Sequence, residues 1–379
     1  MEDSLYGDAS PTAGLTAAQI QALQCVTSAA SAARSSDLEK AERILARRGM
    51  SHTTSVQTII STIRKNAAVT LNFHPDRILP AGMTVAEGFL AHGAYLSQFE
   101  TGVSNGSRTA YSGGDRDRWE ERLFGGAYQL PGALPSERPK YGAFNVMKYA
   151  DGASPRFGSC HFRLRSAVSE RCTFTFGDSH AGPEHKGTIG SFEPLLAALL
   201  EAVENTGEAL GMPNLDIPLL IDFLLKPGHG AGNGPSGKLG RALDDYIEAQ
   251  VHGDIALGRD VEALVADPSF QGTKTGEQLS LLCSKHRIKL CWHAGYRLAA
   301  DQVPEHFRGP AIPPFARHIA DRFAETPGQV DAAVIGKAAA SYHANSDDWS
   351  SWGTQDEVLQ YIKQLWHVLV KFGEPARQG

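Results

Sequence analysis

Residues 246–252, Tyr246-Ile247-Glu248-Ala249-Gln250-Val251-His252, place an apolar side chain at every second position. A period of two is the signature of a strand, because the same order on a helix would scatter the apolar groups around its axis. The pattern predicts a strand with Ile247, Ala249 and Val251 on a core and Glu248 facing a cleft. A Gly-rich run at 228–240 precedes it, and a second strand-like run, Val261-Glu262-Ala263-Leu264-Val265, follows closely.

The remaining text predicts an α+β chain with three regions. Residues 1–67 form a helical N-terminal region, since Leu38, Ala41, Ile44, Leu45 and then Val56, Ile59, Ile60, Ile63 recur at helical spacing. A strand-rich core is expected over 68–300, with a helical insertion at about 190–226. It begins with a short strand at 69–74, closed by Pro75, and a helix starts near Thr84. The stretch 93–126 is read as a long polar loop of functional kind. Strands follow at 141–147, 160–164 and 172–176, the last two as neighbours in a meander. A helical C-terminal region occupies 301–379, where Val358, Tyr361, Ile362, Leu365, Leu369 and Val370 form one stripe.

Composition limits the function classes. A net charge of −6 speaks against general nucleic-acid binding, which needs clustered positive potential. The longest apolar runs, 217–225 and 195–200, fall short of the roughly 20 residues of a membrane span. The start, Met1-Glu2-Asp3-Ser4, lacks the basic and apolar segments of a signal peptide. The expected location is therefore cytoplasmic, or a host cell reached by a route that needs no signal peptide. Five cysteines, an odd number without C-x-x-C spacing, predict reduced thiols and no zinc site. His180 and His185, five apart in a polar loop, are read as surface histidines, and no metal is expected.

Three motifs carry candidate chemistry. Asn72-Phe73-His74-Pro75-Asp76-Arg77 would present His74 and Arg77 at the end of a strand. The block 93–106 sets Tyr95, Ser97, Thr101, Ser104 and Asn105 among glycines, so that backbone can approach a ligand closely while hydroxyl and amide groups hydrogen-bond it. Gly232-Asn233-Gly234-Pro235-Ser236-Gly237-Lys238-Leu239 matches G-x-x-x-x-G-K, but Leu239 stands where a P-loop needs a hydroxyl and Pro235 removes an amide donor.

Taken in order, His74 after a first strand, Tyr95 and Ser97 after a short helix, the run Pro139-Lys140-Tyr141-Gly142-Ala143 and the late-strand Glu248 resemble the His-Tyr-Glu branch of the ADP-ribosyltransferase superfamily. The resemblance covers roughly residues 69–270. It implies a split, mostly antiparallel transferase-like sheet, with NAD as co-substrate and a protein side chain as acceptor. It also implies Glu248, Tyr95 and His74 as catalytic residues. NAD would be held by His74, Arg77, Tyr95, Ser97, Thr101, Ser104, Asn105 and Tyr141. A narrower similarity, to bacterial and fungal effectors, implies threonine of ubiquitin as the acceptor. The chain departs from the family where it has Tyr246 two positions before the glutamate and Gln250 two after, so these two are the expected acceptor contacts. The nicotinamide-stacking ring is left open among Tyr95, Tyr111 and Tyr141. Two other readings stand beside this one: a P-loop-like nucleotide hydrolase centred on Lys238, and a non-enzymatic binding module with a degenerate transferase fold.

Overall fold

The computed structural model describes residues 14–50, 52–102, 110–226 and 238–376. The N-terminal region is helical: α1 (Ala17–Arg47) begins with a reciprocal capping box between Thr16 and Gln19, and α2 (Val56–Asn66) is capped by Ser55. β1 (Val69–Phe73) and α3 (Val85–His92) follow, the latter started by a second capping box from Thr84. The stretch predicted as a long loop instead contains β2 (Ala94–Tyr95), α4 (Gln98–Thr101) and α5 (Asp115–Phe124). Acidic Asp115 and Asp117 in the first turn of α5 and a left-handed Gly125 at its end make it a helix with ordinary stop and start chemistry.

The sheet strands are β3 (Lys140–Phe144), β4 (Cys160–Leu164), β5 (Cys172–Phe176) and β6 (Lys186–Thr188). After α6 (Glu193–Thr206) and α7 (Ile217–Leu225) comes β7 (Ile247–Val251), the strand of strict alternation. β8 (Ile255–Ala256), α8 (Leu257–Asp260), β9 (Val261–Ala266), α9 (Lys274–His286) and β10 (Lys289–Trp292) complete this part. The C-terminal region comprises β11 (Leu298–Ala299), α10 (Ile312–Phe323), β12 (Gln329–Val330), α11 (Ala332–Ala344) and α12 (Gln355–Phe372).

Eight strands hydrogen-bond in the order β10-β9-β4-β1-β3-β7-β5-β6, and only β9 and β10 run parallel, joined by α9. The fold is thus α+β with a large, mostly antiparallel sheet. The expected meander of β4 and β5 is corrected: β1, β3 and β7 lie between them. Alternation fixes which face a side chain takes, but not which strand becomes its neighbour.

Phe144, Ile247, Ala249 and Phe174 share one sheet face, where Phe192 meets the rings of Phe144 and Phe174 at 5.7 and 6.0 Å. The helix that Phe192 precedes, α6, buries Leu195, Leu196, Leu199 and Leu200 completely. The same apolar core runs from Ala41 in α1 to Val370 in α12, so helices of both terminal regions share it with the sheet. Among the described residues no helix is long and apolar enough to cross a membrane.

One irregularity shapes the other face. β1 pairs with β3 only through Val69↔Phe144 and Thr70↔Ala143, whereas β1–β4 and β3–β7 each pair over four residues. The chain leaving β3 holds the two strands apart. Ala153 N donates to Thr70 Oγ1 (3.0 Å), Asn72 Nδ2 donates to Asp151 O (3.0 Å), and Gly158 lies against the backbone of Phe73. A Cβ at Gly158 would sit 2.0 Å from the Phe73 carbonyl carbon, and backbone cannot swing aside as a side-chain tip can. Gly158→Ala is therefore expected to destabilise the fold by about 3 kcal/mol. In urea denaturation Gly190→Ala, which meets nothing within 4 Å, serves as the near-neutral comparison.

Candidate active site

The parting of β1 from β3 opens a cavity of about 730 Å³, within the range of small-molecule sites. Asn72, Phe73 and His74 line it from the β1 side, Tyr141 and Gly142 from β3, and Glu248 from β7. Period-two geometry explains the β7 contribution: Glu248 stands beside Ala143 on one neighbour and Thr175 on the other, on the face away from Phe192.

Glu248 is only 6% exposed. Its Oε1 accepts from Gln250 Nε2 at 2.8 Å and its Oε2 from the Ser179 amide at 3.4 Å. Burial, reinforced by the neighbouring carboxylate of Asp178, raises its pKa to about 7. Asp178 goes the other way. Burial opposes its ionisation, but the His180 amide (3.1 Å), the Tyr246 hydroxyl (2.9 Å) and the His180 ring hold it below the usual carboxylate range. Two carboxyl groups in one cleft with pKa values pushed apart are a common arrangement at catalytic sites.

His74 follows directly on β1, its Nδ1 3.5 Å from Ser159 Oγ and its ring edge-on to Trp366. Burial, then the nearby Arg77 guanidinium, lowers its pKa to about 3, so the ring is neutral and offers one donor and one acceptor. Arg77, Arg156 and Lys363 also line the cavity. Burial and then Arg156, Arg308 and Arg77 lower the pKa of Lys363, which places these cations within electrostatic reach of one another. The cleft thus has a cationic region around His74 and an acidic one around Glu248.

The expected Tyr141 shares the cleft with two residues that the sequence reading missed, Arg116 and Trp119. The Arg116 guanidinium lies 4.4 Å from the Tyr141 ring centre and 4.7 Å from that of Trp119. The Tyr141 hydroxyl donates to Glu120 (2.7 Å), a fully buried carboxylate also bound by Arg138 at 2.8 Å. Trp119 Nε1, Arg116 Nε and Gln98 Oε1 are buried without a hydrogen-bond partner among the described residues, and all three side chains line the cleft. Polar groups of this kind are satisfied by a bound water or ligand.

A family model described as a protein of unknown function, DUF3626, matches residues 68–372, a span that includes every residue lining the cleft. The chain belongs to the DUF3626 family. No curated protein matches it.

Of the expected site residues, this DUF3626 chain brings His74, Arg77, Tyr95, Thr101, Tyr141 and Glu248 to one cavity. Ser97 takes another role: buried, it caps α4 and donates its hydroxyl to Pro135 O at 2.8 Å. Ser104 and Asn105 lie outside the described residues. Tyr111, 60% exposed, is not among the cleft-lining residues. Tyr246 and Gln250 are corrected as acceptor contacts. Both are buried, Tyr246 bonded to Asp178 and Gln250 to Glu248, so they hold the site from behind. For the P-loop motif, residues 232–237 fall outside the described set. The element leading toward it is the helix α7, not the strand a phosphate loop follows.

The missed residues have traceable causes. Arg116 and Trp119 sit on α5, whose flanking glycine pairs and acidic first turn could have announced a helix. Lys363 reaches the cleft from α12, far along the chain, and carries no local signal.

Glu248 binds its proton more tightly in the folded chain than an unfolded glutamate does. Ionising it therefore costs stability as pH rises from the ordinary glutamate range through about 7, and the cost is complete above that. Glu248→Gln, neutral at every pH, is expected to raise Tm over the wild type at pH 8.5. The gain should shrink at pH 5, as read by circular dichroism melts.

Proposed function

We propose that this chain is an NAD-dependent mono-ADP-ribosyltransferase, which cleaves the bond between nicotinamide and ribose and passes ADP-ribose to a protein side chain. The reading is carried by one observation: Glu248, His74, the aromatic rings and the cations open onto the same cavity. NAD is an elongated molecule with a cationic ring at one end and an anionic diphosphate in the middle. The acidic region suits the nicotinamide ribose, and Arg77, Arg156 and Lys363 suit the diphosphate. Neutral His74 suits a ribose hydroxyl of the adenosine half.

Cleaving the glycosidic bond builds positive charge on the ribose, and an ionised Glu248 hydrogen-bonded to a ribose hydroxyl stabilises that charge more than the ground state. A cationic ligand in the cleft favours the ionised form of a carboxyl whose pKa burial has raised. Arg116 covers the ring of Tyr141, so Tyr95, stacked on Phe89 at 5.6 Å, is the ring we assign to nicotinamide. The family resemblance makes threonine of ubiquitin the first acceptor to try.

Incubated with NAD and a cell lysate, the wild type is expected to release nicotinamide and to label protein with ADP-ribose, measured by chromatography and mass spectrometry. Glu248→Ala should lower nicotinamide release by about 100-fold or more. Because the carboxylate is the working form, kcat/KM should rise with pH through about 7, and Glu248→Gln should lack that limb. If NAD gives neither nicotinamide release nor a thermal shift, the chain is a binding module of another kind. If nucleotide turnover disappears in Lys238→Ala and survives in Glu248→Ala, the hydrolase reading takes its place.

A further inference from the structure

The residues that follow β5 are tied to the proposed catalytic carboxylate more closely than a surface loop requires. The register Thr175↔Glu248 brings the exit of β5 alongside Glu248, and Gly177, at φ +90°, turns the chain back with its amide on Tyr246 O (3.0 Å). Three consecutive residues then contribute. Asp178 is buttressed by the Tyr246 hydroxyl, Ser179 gives its amide to Glu248, and His180 turns its ring so that Nδ1 lies 3.1 Å from Asp178 Oδ1. The His180 side chain is 63% exposed yet lines the cleft, edge-on to Trp119 with ring centres 6.0 Å apart.

We infer that His180, oriented by Asp178, is the general base that takes the proton from the attacking acceptor group, a role that rests on the transferase reading above. An Nδ1–H held by a carboxylate leaves the lone pair on Nε2, the tautomer a base needs. The position also fits. Glu248 is buried and is expected to stay on the sugar, whereas an acceptor protein reaches the cleft from solvent, where His180 is exposed. In the transfer, the acceptor's lone pair forms a bond to ribose C1′. The bond from C1′ to the nicotinamide nitrogen breaks, and its electron pair stays on that nitrogen and discharges the pyridinium. The acceptor's proton passes to His180 Nε2 and from there to water. Asp178 is a positioning residue, acting through the imidazole.

The test uses the full chain, NAD labelled in its adenosine half and whole-cell lysate as the acceptor source. The readout is the ratio of labelled protein to nicotinamide released. For His180→Ala the ratio should fall by about 100-fold, because water at high concentration captures the activated sugar with less need of a base than a dilute protein side chain. Added imidazole should restore part of the transfer in His180→Ala. Asp178→Asn should lower the ratio without rescue by imidazole. His185→Ala, a few residues further along the same segment, should leave the ratio unchanged. An unchanged ratio in a folded His180→Ala, with wild-type nicotinamide release intact, would overturn the assignment of the base alone. A wild type that releases no nicotinamide would instead overturn the transferase reading beneath it.

Discussion

The site depends on β1 leaving β3 after two residue pairs. Strands that remain paired stand about 4.8 Å apart and leave no room between them for a ligand. Here the segment after β3 crosses the free end of β1 and fixes it there. Thr70 and Asn72 supply the hydrogen bonds, and Gly158 allows the close backbone approach. Asp151 ties this wedge to the segment that leads into β7 and to Tyr296, because its carboxylate accepts from the amides of Gly240 and Arg241 and from the Tyr296 hydroxyl.

The second constraint is the chemistry of burying Glu248. An ionised carboxylate taken from water must be paired or hydrogen-bonded, or it takes up a proton. Gln250 and the Ser179 amide meet part of that need, and Asp178 opposes it. Gln250 is in turn fixed by Thr173, which reaches His252 at 3.1 Å, and His252 meets the Tyr128 hydroxyl at 2.5 Å. This buried row pre-orients a carboxylate that no aliphatic neighbour could hold in one rotamer. Gln250 on the strand and His252 just past its end, spaced by two from the glutamate, thus serve it from within the protein.

Much of the framework was legible in the sequence, because it rests on local periodicity. The alternation at 246–252 announced β7, the capping residues Thr16 and Thr84 mark helix starts, and the apolar stripe of α12 lies mostly in the core. What escaped depends on contacts between distant segments. β4 and β5 look like a hairpin because they are close in sequence, but pairing is decided by which faces must be buried together. The polar side of β7 looked like an open cleft wall. In the fold Gln250 and His252 are fully buried, His252 against the Phe124 and Tyr128 rings, and of the three only Glu248 reaches the cavity. Asp178 and His180 looked like loop residues, since nothing local reveals that the register of β5 against β7 carries them to Glu248.

The proposed transferase function requires one dinucleotide to span the cleft from His74 to Glu248. It is tested most directly by a crystal structure with an NAD analogue in which carbon replaces the ring oxygen of the nicotinamide ribose, so that the bond to nicotinamide does not break. The expected complex has a ribose hydroxyl about 3 Å from a Glu248 carboxylate oxygen, the diphosphate against Arg77 and Lys363, and the adenosine beside His74. An analogue bound outside the cleft, or lying within it with the adenine at Glu248, would contradict it.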